Sequence, residues 1–276
     1  MNTKTLERLN SSFSRIPELS SYSIDAFDIK HLTGYTNLNF HLKNDQHDWV
    51  LRIPKDETNC HINRMAEANN ADIAIELGLA PKCVWRDSTG YSLSNTIRKS
   101  RSLEVNDLSN PTMLKQVVTA LQQLHQSNQL FEGTVDINDL LSRYYQLMPI
   151  SKQKTLVDSY GEATTKAKKV LQQEQSLVPS HNDLVLENIL FDGHSDTHRV
   201  WIIDWEYASM GPPYWDLATL CNQGLFTPNQ AENLLRLYQN GARPLDPKIL
   251  NDYRDILNAL STFWMAAFTN DEPLIL

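Results

Sequence analysis

The chain has 276 residues, 41% of them hydrophobic, and 33 acidic against 25 basic side chains give a formal charge of −8. A chain this long can bury roughly 70–75% of its unfolded surface and needs no covalent staple, and its three cysteines, Cys60, Cys83 and Cys221, lie far apart with no CxxC pair, so neither a disulfide framework nor a structural zinc site is expected and a reducing cytoplasm is the expected compartment. The acidic balance argues against a nucleic-acid-coating surface and suits a cationic small molecule, no apolar run approaches the ~20 residues that cross a bilayer, and the start MNTKTLERLN lacks the apolar core of a signal peptide.

The first third reads as strands with one helix. Ser23 to Ile29 alternates loosely. Leu38 to Leu42 alternates cleanly, and Trp49 to Pro54 is a second apolar run; the turn cluster Lys43-Asn44-Asp45-Gln46 between them predicts a hairpin. Residues 61–78 carry Ile62, Met65, Ala66, Ile73 and Leu77 near a 3.6 period, with Gly78 at the end, which predicts a helix. Strands follow near Lys82–Arg86 and Gly90–Ile97. Arg98 to Pro111 is polar and linker-like. Beyond it Leu114, Val117, Val118, Leu121 and Leu124 form a helical stripe. Further helices are expected at 137–148, 151–174, 228–240 and 246–269, with one β segment at 187–204. The fold class is therefore α+β: a small β-rich N-terminal lobe over 1–97 and a larger helical C-terminal lobe over 98–276. A cleft between two such lobes is the usual home of a small-molecule site.

The chemistry concentrates in Ser180-His181-Asn182-Asp183-Leu184-Val185-Leu186-Glu187-Asn188-Ile189-Leu190-Phe191, followed by Arg199-Val200-Trp201-Ile202-Ile203-Asp204-Trp205-Glu206. Asn188–Asp192 and Arg199–Ile203 read as a hairpin closed by the loop Gly193 to His198. If Asp192 pairs with Arg199, then Asn188 faces Ile203 and Asp204 faces Glu187. Asn188 and Asp204 emerge at the open end, and Asp183 enters the same end five residues before Asn188. One anionic and one neutral hard oxygen suit Mg²⁺, which takes phosphate oxygens for much of its shell. A third carboxylate left off the metal can orient a hydroxyl and accept its proton. That is the phosphoryl-transfer pattern: a loop Asp, an Asn five residues on, and a metal Asp after the next strand.

HNDLVLENILFD, VWIIDWEYA and PPYWDLATLC resemble the choline/ethanolamine kinases within the wider aminoglycoside phosphotransferase group, which shares a kinase-like two-lobed fold. The nearest likeness is to bacterial choline-kinase-like proteins. It extends to the Leu32–Asn39 turn, LRIP, the Arg64–Glu67 helix, ALQQLHQS at 120–127 and Ser261 to Met265, and weakens at 130–175 and 223–255. The resemblance implies that Asp183 is the catalytic base, that Asn188 and Asp204 hold Mg²⁺, and that His181 supports the loop. It makes ATP the co-substrate, covered by a turn that includes Gly34, Tyr35, Thr36 and Asn37. Arg52 takes the phosphate-contacting place that is lysine in protein kinases, a swap chemically sound because Arg binds phosphate bidentately. Glu67 pairs with Arg52, and Ser92 to Ile97 is the hinge touching adenine.

An ammonium acceptor needs aromatic faces and a nearby negative charge. Trp264 and Phe268 share a helix face at i and i+4, and Trp215 follows the metal Asp; with Asp183 and Glu206 they make the expected acceptor site. Asp216 reads as structural, anchoring the loop or capping a helix that starts near Leu217. Residues 256–270 hold no carboxylate, which favours choline or ethanolamine over an aminoglycoside; thiamine, also a cation, stays an alternative. The expected function is an ATP- and Mg²⁺-dependent kinase of a small amino alcohol, with no nucleic-acid or membrane partner. The rivals of other classes are a nucleotide-binding regulator without transfer activity and a scaffold.

Overall fold

A computed structural model of the chain describes residues 3–32, 34, 36–55, 62–173, 176–193, 199–239 and 244–268. The chain divides into two compact units, Met1–Arg101 with Phe191–Tyr207, and Ser102–Leu190 with Ala208–Leu276. The stretch 191–207, placed by sequence in the C-terminal lobe, thus groups with the first unit.

The first unit runs α1 (Thr3–Arg15), a 3-10 turn at Ile24–Ala26, β1 (Asp28–Leu32), β2 (Asn37–Lys43), β3 (Asp48–Pro54), α2 (Arg64–Glu76), β4 (Cys83–Arg86) and β5 (Ser92–Asn95). The strands form one sheet in the order β1-β2-β3-β5-β4. Its neighbours are all antiparallel, with Phe40 opposite Leu51 and Leu38 opposite Ile53. The β2–β3 turn closes on Asn44, whose Oδ1 accepts the N–H groups of Gln46 at 2.9 Å and His47 at 2.7 Å, the local pairing that makes Asn a turn residue. Phe40, Leu42, Leu51, Ile53 and Leu93 are fully buried and pack with Leu9 and Phe13 of α1, and with Ile16, Leu19, Phe27 and Trp49. Each such side chain contributes roughly 1.5–3 kcal/mol by leaving water. Side chains alternate along a strand, so burying Leu51 and Ile53 sends Arg52 to the opposite face.

The helix expected at 61–78 is α2. Asn63 caps it, its side chain accepting from the Ala66 N–H at 3.2 Å, and Gly78 ends it at φ +70°, a backbone that glycine adopts without cost. The opening helix α1 and its packing under the sheet were not predicted from sequence.

After β6 (Ser100–Ser102) and a 3-10 turn at Val105–Ser109, the second unit contains α3 (Pro111–His125), α4 (Ile137–Leu147), α5 (Ile150–Thr155), α6 (Val157–Leu171), β7 (Val178–Ser180) and a 3-10 turn at Leu186–Asn188. Then come β8 (Ile189–Asp192), β9 (Arg199–Ile202), β10 (Ser209–Gly211), α7 (Tyr214–Gln223), α8 (Pro228–Gln239) and α9 (Pro247–Phe268). The 151–174 helix is in fact two, parted at Leu156. Strand β7 pairs antiparallel with β10, Ser180 opposite Ser209, and β6, β8 and β9 form a small sheet with β8 in the middle. The predicted hairpin is thus β8 and β9, but Asn188 ends the preceding 3-10 turn and is not the first strand residue. Most of its loop, 194–198, lies outside the described residues. The long α9 packs along α4, α6 and α7. Among the described residues no helix is long and apolar enough to cross a membrane.

Candidate active site

In the first unit, five charged side chains meet around the middle of β3. Arg52 forms an ion pair with Glu67, which the first turn of α2 presents. Arg52 Nη1 also lies 3.4 Å from Asp204 Oδ1. Arg64, three residues before Glu67 on the same helix face, donates to Glu67 at 2.6 Å and to Glu206 at 3.5 Å. Asn37, the first residue of β2, donates through Nδ2 to Glu206 at 3.1 Å and to the Thr36 hydroxyl at 3.0 Å. The side chain of Glu206 is only 2% exposed, against 28% for Asp204. Burial raises the Glu206 pKa, the charge of Asp204 adds to that, and Arg52 and Asn37 oppose it; the result is a carboxyl pushed up to about 7. Burial works against the charge of Arg52, but Glu67, Asp204 and Glu206 outweigh it and hold the guanidinium above its usual range.

Glu67, Asp204 and Glu206 offer oxygens within 4.8 Å of one another. Hard oxygens of this kind suit Mg²⁺. All three meet an arginine, and Asp204, at 28% the most exposed of them, is the one most open to solvent. Its φ of +64° is one that Asp and Asn tolerate better than most residues. Gly34 lies in the turn before β2. A Cβ there would stand 2.6 Å from the Asn37 carbonyl oxygen and 2.7 Å from Asn39 Nδ2, so position 34 has no room for a side chain. Lys55 donates to the Gly34 carbonyl at 3.0 Å. Tyr35, expected in the same turn, lies outside the described residues.

In the second unit, the loop after β7 holds Asp183 and Asn188 together. Asn188 Nδ2 donates to the Asp183 carbonyl at 2.9 Å and to its Oδ2 at 3.3 Å. That orientation turns the amide donor inward and leaves Oδ1 as the atom suited to a metal. The loop is fixed from below by Asp216 in the first turn of α7, which accepts the N–H groups of His181 and Asn182 at 2.8 Å each. Asn182, at φ +62°, donates to the Ser209 hydroxyl at 2.8 Å. His181 is buried, and its Nδ1 accepts the Asp183 N–H at 3.3 Å.

Residues 28–247 match the phosphotransferase enzyme family. The chain belongs to that family. Protein LicA from one Haemophilus influenzae source is 30% identical over 211 residues, which cover 75% of this chain and 61% of that protein. Protein LicA of Haemophilus influenzae strain Rd is 31% identical over 209 residues, covering 74% of this chain and 77% of the relative. Among solved structures, choline kinase LicA from Streptococcus pneumoniae superposes with a TM-score of 0.82 at 21% identity, over 98% of this chain and 94% of its own. A choline/ethanolamine kinase family protein from Mesorhizobium loti gives 0.75 at 26% identity, over 97% and 89%. The fold of this phosphotransferase-family chain is therefore kinase-like.

The remaining expected residues of this family member fall in different places. Trp264 and Phe268 do share a face of α9, with ring centroids 5.6 Å apart and planes tilted by 45°. Phe268 is partly exposed and meets Tyr144 edge-on at 6.3 Å. Trp215, expected as a face of the acceptor pocket, is buried instead, and its indole N–H donates to the Asn182 carbonyl at 2.9 Å. It supports the loop, because a buried indole must place its N–H on an acceptor. Glu206, expected to supply charge to the acceptor, is buried in contact with Arg64 and Asn37. Two residues that sequence reasoning did not single out emerge: Arg64, which joins two carboxylates, and His125, whose Nε2 lies 3.0 Å from Asp216 Oδ2. Arg64 and His125 each lie in a motif, Arg64–Glu67 and ALQQLHQS, but nothing local names Glu206 as a partner of the first or Asp216 as the partner of the second.

Proposed function

We propose that this chain is a kinase that transfers the terminal phosphoryl group of ATP to the hydroxyl of a small amino alcohol, choline or ethanolamine. The observation that carries the reading is the Asp183–Asn188 pair on a loop pinned by buried Asp216. It is the catalytic-loop arrangement of phosphoryl transfer, rigid where the chemistry needs rigidity. Asp183 would orient the acceptor hydroxyl and take its proton as the new O–P bond forms and the bond from the terminal phosphorus to the bridging oxygen breaks, releasing ADP. Asn188 Oδ1 and Asp204 each offer an oxygen that would suit Mg²⁺. Bound Mg²⁺ supplies charge to offset that gathering on the phosphates. Arg52, paired with Glu67, would bind phosphate oxygens, and the absence of a side chain at Gly34 lets its backbone approach them. Trp264 and Phe268 offer aromatic faces to an ammonium group, each face worth about 0.5–2 kcal/mol.

Two lines support the acceptor class. Residues 256–268 carry aromatics and no carboxylate, which suits a compact cation and not a polyammonium sugar. The Streptococcus pneumoniae and Mesorhizobium loti neighbours are by name a choline kinase and a choline/ethanolamine kinase family protein. Free thiols at Cys83 and Cys221 suit a reducing compartment, the cytoplasm.

The test is phosphate transfer from ATP, with Mg²⁺, to choline, ethanolamine, thiamine and an aminoglycoside side by side, scored by phosphorylated product. Product from choline or ethanolamine at the highest kcat/KM is expected. Preference for thiamine or the aminoglycoside overturns the acceptor class. ATP binding without product from any of the four points to a nucleotide-binding regulator and overturns the kinase reading itself.

A further inference from the structure

Beneath the loop that carries Asp183, buried side chains from three helices form one chain of hydrogen bonds. The Tyr238 hydroxyl on α8 lies 2.8 Å from His125 Nδ1 on α3. His125 Nε2 lies 3.0 Å from Asp216 Oδ2 on α7. Asp216 in turn accepts the backbone N–H groups of His181 and Asn182. Gln122, one turn before His125, donates to the Tyr238 carbonyl at 2.7 Å, which ties α3 and α8 together at this level. All three side chains are buried.

Elementary chemistry gives this chain a direction. Burial opposes the charge of Asp216, but the hydrogen bonds from His125 and from the loop backbone outweigh it and hold the carboxyl below its usual range. An ionised carboxylate only accepts, so the hydrogen sits on His125 Nε2. A neutral imidazole so protonated has its lone pair on Nδ1, where it accepts the Tyr238 O–H. Burial, with the charge of Asp216, pushes the Tyr238 hydroxyl above its usual range, so it keeps its proton and remains a donor. Each link therefore points toward the loop: Tyr238 to His125, His125 to Asp216, and Asp216 to two backbone N–H groups just before Asp183.

We propose that Tyr238 is a positioning residue for phosphoryl transfer. Its hydroxyl, held on Nδ1, fixes the His125 ring in the orientation that keeps Asp216 aimed at the loop and so sets where Asp183 stands. The inference rests on the reading of Asp183 as the base that takes the acceptor proton. No proton travels along the chain; its contribution is orientation.

The test is Tyr238→Phe in the full chain, which keeps the ring and removes the hydroxyl. The expected result is a fall in kcat of about 10-fold from a misplaced base, with KM for ATP and for the alcohol within about twofold. The His125 Nδ1 signal should shift as it loses the Tyr238 hydroxyl while Nε2–H is retained on Asp216, and the His181 and Asn182 amides should exchange hydrogen faster. A variant with a lower Tm but unchanged kcat and unchanged amide exchange marks Tyr238 as plain scaffold and overturns the proposal. If the wild type phosphorylates none of the four alcohols, the kinase reading fails on that assay. The exchange measurement needs no acceptor and still decides the positioning: faster exchange at the His181 and Asn182 amides in the variant upholds it and unchanged exchange overturns it. Should Tyr238→Phe not fold, the wild-type spectrum decides, since a doubly protonated or Nδ1–H His125 overturns the assigned direction.

Discussion

At Glu206, burial and a neighbouring carboxylate outweigh an arginine and an amide, and the balance has a pH signature. The folded carboxyl titrates at about 7, whereas an unfolded Glu titrates near 4.3. Between those values the folded chain holds a proton the unfolded chain has lost. The resulting stability is full below about pH 4 and is lost as pH rises through 7. Glu206→Gln cannot ionise. Relative to wild type it should gain roughly 2–3 kcal/mol between pH 5 and pH 8, at ~1.4 kcal/mol per unit, in urea melts without divalent metal. Equal stability differences at the two pH values would refute the burial argument. Asp183 answers to kinetics. Asp183→Asn keeps the hydrogen-bonding shape but cannot accept a proton, so turnover should drop about 10²–10⁴-fold, the range for losing a general base, with unfolding midpoints near wild type. Turnover within threefold of wild type would remove Asp183 from the mechanism.

At the level of elements, one helix N-terminus supports much of the charged cluster. The first turn of α2 carries both Arg64 and Glu67, and Asn63 caps it. Asn63→Ala removes the side-chain acceptor and should cost ~1 kcal/mol of stability. Because a frayed first turn loosens Glu67 from Arg52, KM for ATP should rise as well, and isothermal titration with ATP would show it. A stability loss with unchanged ATP affinity would mean that the Arg52–Glu67 pair does not depend on this cap. The elements themselves were unequally legible. The β2–β3 hairpin and α3 could be read because their periodicity is local and strong. The opening helix spreads Leu6, Leu9 and Phe13 thinly among polar residues, and its packing against Phe27 and Trp49 decides it. No proline or glycine marks the break at Leu156. In the site, Asp183 and Asn188 stand five residues apart, so their spacing showed in the sequence. The Arg52–Glu67 pair was reached only through family resemblance. Arg64 meets Glu206 across 142 positions and His125 meets Asp216 across 91, distances over which pattern carries no information. Trp215 looked like a binding face because composition shows aromatic rings, but not which carbonyl an indole N–H will meet.

For the molecule as a whole, a ligand that binds only the folded chain raises its unfolding temperature by a calculable amount. At 100 times its Kd a nucleotide adds about 2.7 kcal/mol. A chain of this length shifts roughly 2–4 °C per kcal/mol, so Mg²⁺–ATP at that level should raise Tm by about 5–10 °C if unfolding is cooperative. Asp204 lets the metal's share be separated. Its link to Arg52 is long, 3.4 Å, and it is the most exposed carboxylate of its cluster, so replacing it should disturb the ligand-free fold little. Exposed or partly exposed pairs of this kind contribute about 0–1 kcal/mol. In Asp204→Ala the ligand-free Tm should therefore stay within about 3 °C of wild type. The extra shift seen on adding Mg²⁺ to ATP should disappear, while a shift with ATP alone, carried by Arg52, should persist. Thermal melts with ATP, with Mg²⁺ and with both separate these contributions. A variant that keeps the whole Mg²⁺-dependent increment would show that the ion is held elsewhere, and a wild type with no shift under any of the three would leave the chain without a nucleotide site.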